Sequence, residues 1–261
     1  MMFRLIFLLL VTNVCEGQEW QAELMAGASG YNGDLTQRRV TISQLRPGLN
    51  LNIKYNSGNV INVRAGIVYT RLVADDKNST ENSLKRRNLN FKSDILELNA
   101  IVEINLFDPE VYVSYPYLFG GAGVFHFNPF TYDKNNLKTY LQPLGTEGQG
   151  LEQYPERKKY SLIQLCIPVG AGWKWIINDN LDISYELGYR ILFTDYLDDV
   201  SKTYVNLDAL AAGNGPKSAE LSYRGSSPFR LGAIRRGNSG TNDSYFFTGI
   251  KISTNINSLF R

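Results

Sequence analysis

Apolar and polar side chains alternate along residues 181–194, which read LDISYELGYRILFT. Apolar residues occupy every second position, and most positions between them are polar, among them Asp182, Glu186 and Arg190. A period of two residues indicates a β-strand with one apolar and one polar face. Soluble strands usually span about five or six residues, whereas a tilted transmembrane strand needs about nine to eleven. The length of this run therefore favours a membrane-spanning strand.

The same alternation predicts about eight strands in all. Besides residues 181–194, it occurs near residues 19–29, 45–55, 61–70, 91–107, 116–127, 163–175 and 246–256. Gly120, Gly121 and Gly123 blur the two faces of the run at 116–127, so its orientation stays open. Polar, turn-forming residues separate the runs, as expected for strands joined by loops and hairpins.

The connections between these runs alternate in length: long, tight, long, short, long, tight and longest. The tight ones read NSGN at residues 56–59 and NDN at residues 178–180. Short periplasmic turns and long external loops are the rule in outer-membrane barrels, and a soluble sandwich has no reason to place its long loops at one end. The pattern therefore predicts an all-β fold, an eight-stranded antiparallel up-and-down transmembrane β-barrel.

Aromatic residues at the predicted strand ends fit the same arrangement, because Trp and Tyr prefer both membrane interfaces. The periplasmic ends carry Trp20, Tyr55, Trp173 and Trp175, and the outer ends carry Tyr69, Phe193 and Phe246.

The N-terminus has the pattern of a secretory signal peptide. Arg4 precedes a short apolar run at residues 5–11, and Cys15 and Gly17 are the small residues of a cleavage site. We expect a signal peptide at residues 1–17 and an outer-membrane barrel at residues 18–261. Cys166 is then the only cysteine, so no disulfide can form within the chain, and we expect it to be a packed thiol that points inward.

Composition narrows the function classes. The formal charge of the 261-residue chain is +2 and it has a single histidine, with a mean hydropathy of −0.23. A nucleic-acid-binding protein would show a marked basic excess or a basic face, so no nucleic acid is expected as a partner. The low mean hydropathy is compatible with a barrel, because alternating strands average their two faces.

An eight-stranded barrel has an interior just wide enough for its own side chains. Opposite charges confined there should pair, since an unpaired buried charge is costly. We therefore predict a plugged lumen without a diffusion pore. The charged residues expected to point inward are Arg46, Lys54, Arg64, Glu97, Glu103, Lys174, Asp182, Glu186, Arg190 and Lys251.

Two loop motifs have a chemical and a structural interpretation. The external loop after residue 194 contains Asp195, Tyr196, Asp198 and Asp199. Its carboxylates could bind calcium through oxygen, but the spacing fits no EF-hand, and capping or solvated acidic residues are the preferred interpretation. The glycine-rich residues 144–150 lack the strand-to-helix context of a phosphate-binding loop, so we interpret them as loop turns. No metal and no cofactor is expected.

His126 is the one candidate for a catalytic base. A barrel enzyme acting on lipid would need it beside a serine and an acid, such as Ser161 or Ser184 with Glu186. No spacing supports this set, so we expect a structural histidine, no catalytic residues and no enzymatic activity. Basic clusters at residues 85–87, 157–159 and 235–236 lie in predicted external loops. They could bind lipopolysaccharide phosphates or be solvated loop charges.

Several segments together resemble one family across essentially the whole mature chain. The two most specific pieces read QPLGTEGQG, at residues 142–150, and TDYLDDVS, at residues 194–201. The others are EWQAELMAGASGYNGDL, RPGLNL, FKSDILELNA, PYLFGGAGVFHFNP, YSLIQLCIPVGAGWKW, GYRILF and RRGN. In this combination the chain resembles the PorG-like proteins, the outer-membrane barrel subunit of the Bacteroidota type IX secretion system.

This resemblance implies a non-enzymatic part of the protein secretion and gliding motility apparatus, located in the outer membrane. Its implied partners are a periplasmic ring lipoprotein and that lipoprotein's partner subunit, besides outer-membrane lipid and lipopolysaccharide. The group also contains paralogues without assigned roles, so the family is implied more firmly than the role.

A periplasmic ring can contact only the periplasmic side of the barrel. The contact candidates there are Trp20, Val111, Tyr112, Val113 and Asp179. Residues 111–113 are the first choice, because an apolar, strand-like segment suits edge pairing with a partner. Two other functions stay open: a surface adhesion or envelope-stability barrel that acts through loops 128–159 and 195–242, and a lipid-modifying barrel enzyme.

Overall fold

Ten antiparallel strands form one sheet in the computed structural model, which describes residues 19–36, 41–57, 60–225 and 234–256. The expected signal peptide lies outside these residues. The strands are β1 (Glu19–Asn32), β2 (Arg46–Asn56), β3 (Ile61–Asp75), β4 (Asn90–Asn105), β5 (Ser114–His126), β6 (Phe130–Tyr132), β7 (Lys138–Tyr140), β8 (Ile163–Asn178), β9 (Leu181–Leu192) and β10 (Ser244–Asn255).

Eight of these strands close into a barrel, as the alternation predicted. Each long strand pairs with the next long strand along the chain, and β5 pairs with β8 past the small β6–β7 hairpin. Pairing of β1 with β10 closes the ring, with Gln21 opposite Asn255 and Asn32 opposite Ser244. Closure removes the exposed sheet edges that an open sheet would present.

The connections divide between the two ends of the barrel. The long-loop end carries residues 33–36, 41–45, 76–89, 127–162, 193–225 and 234–243, and the short-turn end carries residues 57, 60, 106–113 and 179–180. The long connections contain more regular structure than the sequence pattern predicted. They include α1 (Asn82–Arg87), α2 (Leu207–Asn214), α3 (Pro216–Ser222) and 3-10 turns at Ile42–Gln44, Asp76–Asn78 and Gln142–Leu144. In the described part of the chain, no helix has the length and apolar character needed to cross a membrane.

The distribution of polarity is the reverse of that in a soluble domain. On β4, Leu98 and Val102 are 51% and 44% exposed on the outer surface, while Glu97 and Glu103 are fully buried inside. A soluble sandwich would bury the leucines and expose the glutamates. The apolar outer band and the charged interior are therefore those of a transmembrane barrel.

The structure shows which side chains of β5 face the lumen, a question that the glycines of this strand left open in the sequence. Tyr117, Phe119 and Phe125 lie inside, and Leu118 and Val124 face outward. The glycines permit close packing: a Cβ on Gly121 would lie 2.0 Å from the carbonyl oxygen of Ala100 on the neighbouring strand.

Aromatic side chains lie on the outer surface at both ends. At the short-turn end the Trp20 and Tyr55 rings are 5.2 Å apart, and Trp173 Nε1 donates to Ser114 Oγ at 2.8 Å. At the long-loop end Tyr69 and Phe193 are 51% and 56% exposed. These two belts match the interfacial positions that a membrane of fixed thickness requires.

The largest apolar cluster lies inside the long-loop end rather than at mid-barrel. Strand residues such as Phe91, Phe125 and Tyr245 pack there against loop residues such as Leu197 and Leu221. The long loops therefore fold over the barrel end instead of projecting freely.

Substitution of Leu51 tests whether the outer face contacts lipid. Leu51 lies at the middle of β2 and is 57% exposed. Leu51→Arg should lower the free energy of unfolding in lipid vesicles by about 2–4 kcal/mol, the usual cost of a cation at the bilayer midplane. Ile42→Arg, at an 82% exposed loop position, is the control and should change little. Equal stability of the two variants in urea titrations would contradict a lipid-facing surface.

Candidate functional site

The centre of the lumen is a network of paired charges built on Arg64. Its guanidinium contacts Glu186 in a bidentate pair, at 2.7 and 2.9 Å, and its Nη1 lies 3.6 Å from both Glu23 and Glu103. Lys251 Nζ lies 3.0 Å from Glu186 and 3.5 Å from Glu103. All five side chains are buried. Such a network is stable only when every member keeps its partners.

Flanking pairs extend this network toward both ends. Lys54 Nζ lies 3.1 Å from Glu23, and Lys174 Nζ lies 2.7 Å from Glu103. Nearer the long-loop end, Arg190 Nε donates to Glu97 at 3.2 Å, and the Tyr245 hydroxyl also donates to Glu97. Large buried side chains therefore fill the barrel from wall to wall.

The structure places nine of the ten predicted lumen charges inside the barrel. The exception is Arg46, the first residue of β2, which is half-buried at the rim and donates to the carbonyl oxygens of Ser43 and Leu45. The predicted set also omitted Glu23, which pairs with three buried cations. Its position on the polar face of β1 was the signal that could have included it.

The long loops form a second polar cluster, which we call the loop cap: residues 31–36, 76–89, 141–160, 194–205 and 234–243. At its centre the Tyr31 hydroxyl lies 2.6 Å from Asp198 and 2.9 Å from Asp243. One hydroxyl has one hydrogen to donate, so the second contact needs a proton on one of the carboxyl groups. The other oxygens of Asp198 and Asp243 accept from the amides of Val200 and Leu197, both at 2.9 Å.

Glu147 connects two of the long loops within the cap. Its carboxylate accepts from the amides of Ser201 and Lys202, at 2.9 and 3.0 Å, and from Arg236 at 3.2 Å. Arg236 also lies 3.6 Å from Asp199, which accepts from the Tyr160 hydroxyl at 2.8 Å. These residues come from segments of the chain that are more than thirty residues apart in sequence.

A buried ion pair within the second long loop also connects that loop to the first and to the last. Arg87 makes a bidentate contact with Asp76, both distances being 2.7 Å, and donates to the carbonyl oxygens of Asp34 and Arg236. Gly33 must be glycine in this packing, because a Cβ there would lie 1.9 Å from Asp243 Oδ1 and 2.1 Å from the Tyr31 hydroxyl.

The cap corrects two expectations. Asp195, Asp198 and Asp199 are buried rather than solvated, while the alternative of capping holds for Asp198, whose Oδ1 accepts from the Val200 amide. Tyr196 is half-buried with its ring stacked 4.6 Å from that of Tyr160. The basic clusters are likewise not simply solvated: Arg87 and Arg236 are buried, and the half-buried Arg157 donates to the Glu147 and Thr203 carbonyl oxygens. The remaining members Lys85, Arg86, Lys158, Lys159 and Arg235 are exposed.

Burial raises the pKa of several carboxyl groups in the cap. The pKa of Asp195 rises to about 7, mainly through desolvation. Desolvation also raises the pKa of Asp199 to about 6, although Arg236 and the hydroxyls of Thr146 and Tyr160 oppose the shift. The pKa values of Asp198 and Asp243 lie well above the ordinary range, because both are buried among other carboxyl groups. The shared Tyr31 contact requires the same extra proton.

The glycine-rich segment forms loop turns with three residues in the left-handed region. Gly145, Gly148 and Gly150 have φ angles of 57°, 86° and 91°. They allow the chain to fold tightly around the buried Glu147. In the described residues, no group of three or more His, Cys, Asp or Glu side chains is arranged to hold a metal ion.

The residues considered for lipid chemistry lie apart from one another. His126 is on the outer surface at the end of β5, whereas Ser184 and Glu186 are buried in the lumen and Ser161 is in an exposed loop. Glu186 is also committed to Arg64. Cys166 is buried inside the barrel, within the apolar cluster of the long-loop end.

At the short-turn end, the predicted contact segment is an apolar turn and not a strand. Val111, Tyr112 and Val113 are 69%, 50% and 72% exposed. The amides of Val111 and Tyr112 donate to the carbonyl oxygen of Asp108, and the Val113 carbonyl accepts from Ile176 of β8. These bonds use backbone groups that edge pairing would need, so a partner would meet side chains here. Trp20 and Asp179 are exposed at the same end.

Comparison with known families gives one match. The model of the family described as "Domain of unknown function (DUF6089)" matches residues 1–225. The chain belongs to this family. A search of curated proteins found no match.

Solved structures similar to this DUF6089 protein are small barrels. Neisserial surface protein A is 9% identical, covers 92% of this chain and all of its own, and has a TM-score of 0.47. The Ail protein of Yersinia pestis is 12% identical, over 92% of this chain and 99% of its own, with a TM-score of 0.39. The N-terminal barrel domain of Pseudomonas aeruginosa OprF is 10% identical, over 92% and 100%, with the same score.

Removal of Arg64 tests the lumen network. Arg64→Ala leaves Glu186 without its bidentate partner, and breaking a buried pair usually costs about 3–5 kcal/mol. The urea midpoint of the detergent-folded barrel should fall accordingly. Arg71→Ala is the control, since Arg71 pairs with Asp94 on the surface and is 46% exposed; its expected loss is at most about 1 kcal/mol. An equal loss in both variants would contradict a structural role for the network.

The cap should be more stable at acidic than at alkaline pH. A carboxyl group with a raised pKa in the folded state stabilises it below the unfolded pKa, and this contribution is lost as pH rises through the folded value. Between about pH 5 and pH 8, the hydrogen-exchange protection factors of the Leu197 and Val200 amides should fall at least about tenfold, since one pKa unit corresponds to about 1.4 kcal/mol. Asp195→Asn should reduce this dependence, and the exposed Asp208→Asn should not. Protection that is constant with pH would contradict buried, protonated carboxyl groups.

Proposed function

We propose that this protein is the outer-membrane barrel of a type IX secretion and gliding apparatus, and that it anchors a periplasmic ring to the membrane. The ring contains a lipoprotein and its partner subunit. The proposal is supported by the resemblance of QPLGTEGQG and TDYLDDVS, among other segments, to PorG-like proteins. Both segments lie in the loop cap, where Glu147 contacts the amides of Ser201 and Lys202.

The filled lumen is the observation that carries the anchor role. Arg64, Lys251 and three glutamates close the barrel at its centre. Moving a chain through it would require separating these buried pairs, each at a cost of several kcal/mol. Secreted protein must therefore pass through a different, wider channel. The barrel itself provides a fixed position in the membrane and a surface at each of its two ends.

The orientation follows from the loop lengths, because outer-membrane barrels have short periplasmic turns and long external loops. With the N-terminus in the periplasm, an even number of strands also returns the C-terminus there, and the short-turn end faces the periplasm. A periplasmic ring would then contact the apolar turn at residues 111–113. Exposed apolar groups at a protein end are favourable contacts for a partner. The Tyr112 ring packs against that of Phe107, with ring centroids 5.4 Å apart.

Charge placed on the apolar turn tests this contact. In a cell of the native host, Val111→Asp combined with Tyr112→Asp should lower the yield of ring subunits that co-purify with the tagged barrel by at least about tenfold. The expected size reflects loss of about 2 kcal/mol when a central contact is removed. The measurement is quantitative mass spectrometry of the material pulled down from solubilised outer membranes.

Ile42→Asp is the matched control, because Ile42 is an exposed apolar residue at the opposite end. It should leave the ring yield unchanged. Heat-dependent mobility on gels verifies that each variant barrel is folded. If the folded double variant gave the wild-type ring yield, the proposed contact would be contradicted. If ring subunits were absent even with the wild-type barrel, the anchor role would be contradicted.

A surface adhesion or envelope-stability role is the second candidate. The observation that favours it is the loop cap, because buried ion pairs hold the long loops in one arrangement and present a fixed surface outward. Lys85, Arg86 and Arg235 are exposed on this end and suit phosphate groups of lipopolysaccharide. The double variant at residues 111 and 112 should leave such a role intact, which separates the two candidates.

A further inference from the structure

The short-turn end of the lumen opens into a polar cavity of about 410 Å³. We call it the acidic mouth; the side chains that matter for its chemistry are Gln21, Asn105, Glu110, Lys174, Asp179 and Asp182. They come from four strands and two turns, so the cavity lies on the barrel axis. Its volume is within the range of small-ligand pockets. Neither the lumen network nor the proposed ring contact accounts for it.

Three buried oxygen atoms of the mouth have no hydrogen-bond partner among the described residues. They are Gln21 Oε1, Asn105 Oδ1 and Asp182 Oδ1. The residues themselves are only 7%, 3% and 7% exposed. Buried acceptors are normally satisfied, and a set without partners calls for a donor from outside. All three atoms are acceptors and are almost fully covered, so a donor in the cavity can bond to them only when the side chains that carry them turn toward it.

The cations of the mouth are already used by the lumen. Lys174 is 2.7 Å from Glu103, and Lys54 is 3.1 Å from Glu23 but 4.0 Å from Asp182. Within the described residues Asp182 thus has only a distant cation, and the exposed Glu110 and Asp179 add two carboxylates at the rim. Charge complementarity therefore favours a donor that is also positive.

The mouth is continuous with the apolar turn. Val113, which is 72% exposed, lines the cavity as well as forming part of that turn. A peptide that rests on residues 111–113 can therefore extend a neighbouring side chain into the mouth. Lysine and arginine have the reach, the positive charge and the donors that the three oxygens need.

We propose that the acidic mouth binds a lysine or arginine side chain of a periplasmic partner that docks on the apolar turn. This inference rests on the proposed function for the partner's location, and it adds the chemistry by which the partner is recognised. Asp182 supplies the charge contact, and the amide oxygens of Gln21 and Asn105 complete the donor's hydrogen bonds.

The test uses the full-length protein in detergent and a dye-labelled peptide, acetyl-Gly-Arg-Gly-Lys-Gly-amide, followed by fluorescence anisotropy. The peptide in which glutamate replaces both basic residues is the matched probe. We expect saturable binding of the basic peptide only. The net charge of the chain is +2, so general attraction would not favour a basic peptide.

Variants locate the binding. Asp182→Asn should weaken it about tenfold, the effect of losing one charged contact of ordinary strength, and Glu110→Gln at the exposed rim should weaken it by a smaller factor. Glu152→Gln removes the same charge from an exposed position at the long-loop end and should have no effect. Because Glu110 is exposed, its variant remains informative if Asp182→Asn folds poorly.

Three results would overturn the proposal: equal binding of the basic and acidic peptides, binding unaffected by both mouth variants, or displacement of the peptide by millimolar calcium chloride, which would assign the mouth to a metal ion. The outcome of the ring co-purification experiment is independent of the outcome of this peptide experiment. Peptide binding that depends on Asp182, without co-purification of the ring, would refute the anchor role but support basic side-chain binding in the acidic mouth. Co-purification of the ring without such peptide binding would refute only the proposal for the acidic mouth.

Discussion

The structure depends on the pairing of charges inside a barrel whose outside is apolar. Arg64 contacts three glutamates within 3.6 Å, and each glutamate has at least one further cation. Surrounded by strands and lipid, these groups have no bulk water to stabilise them, so each ion relies on the others. The interaction is cooperative because no member can leave without exposing its partners to the same cost. It also explains why the lumen is filled.

The two ends are built differently. At the long-loop end, carboxyl groups are buried so deeply that protonation and hydrogen bonds to Tyr31, Tyr160 and backbone amides replace solvent. At the short-turn end the lumen opens instead into a polar cavity beside an exposed apolar turn. The two ends therefore differ in shape, because folded loops cover one of them and the other opens into a cavity.

Particular residues show where interpretation of the sequence succeeded and where it failed. Glu97, Glu103, Asp182 and Glu186 could be placed inside because each lies on the polar face of a regular strand, where a period of two fixes the side. Asp198 and Asp199 could not, because loop residues have no such period and are polar by default. Their burial depends on partners far along the chain, such as Tyr31 and Arg236. Residues 111–113 have strand-like composition, but the bonds to Asp108 bend them into a turn.

By itself the sequence determined the number of barrel strands, their order and the two faces of most of them. These properties follow from local alternation and from the lengths of the connections, both of which are written into neighbouring residues. Only the tertiary structure decided which charges pair, that the long loops close over the barrel, and that three acceptors meet at the mouth. Such contacts join residues as distant as Tyr31 and Asp243, which are 212 positions apart. No local pattern encodes them, because they arise only when the closed ring brings separate strands and loops together in space.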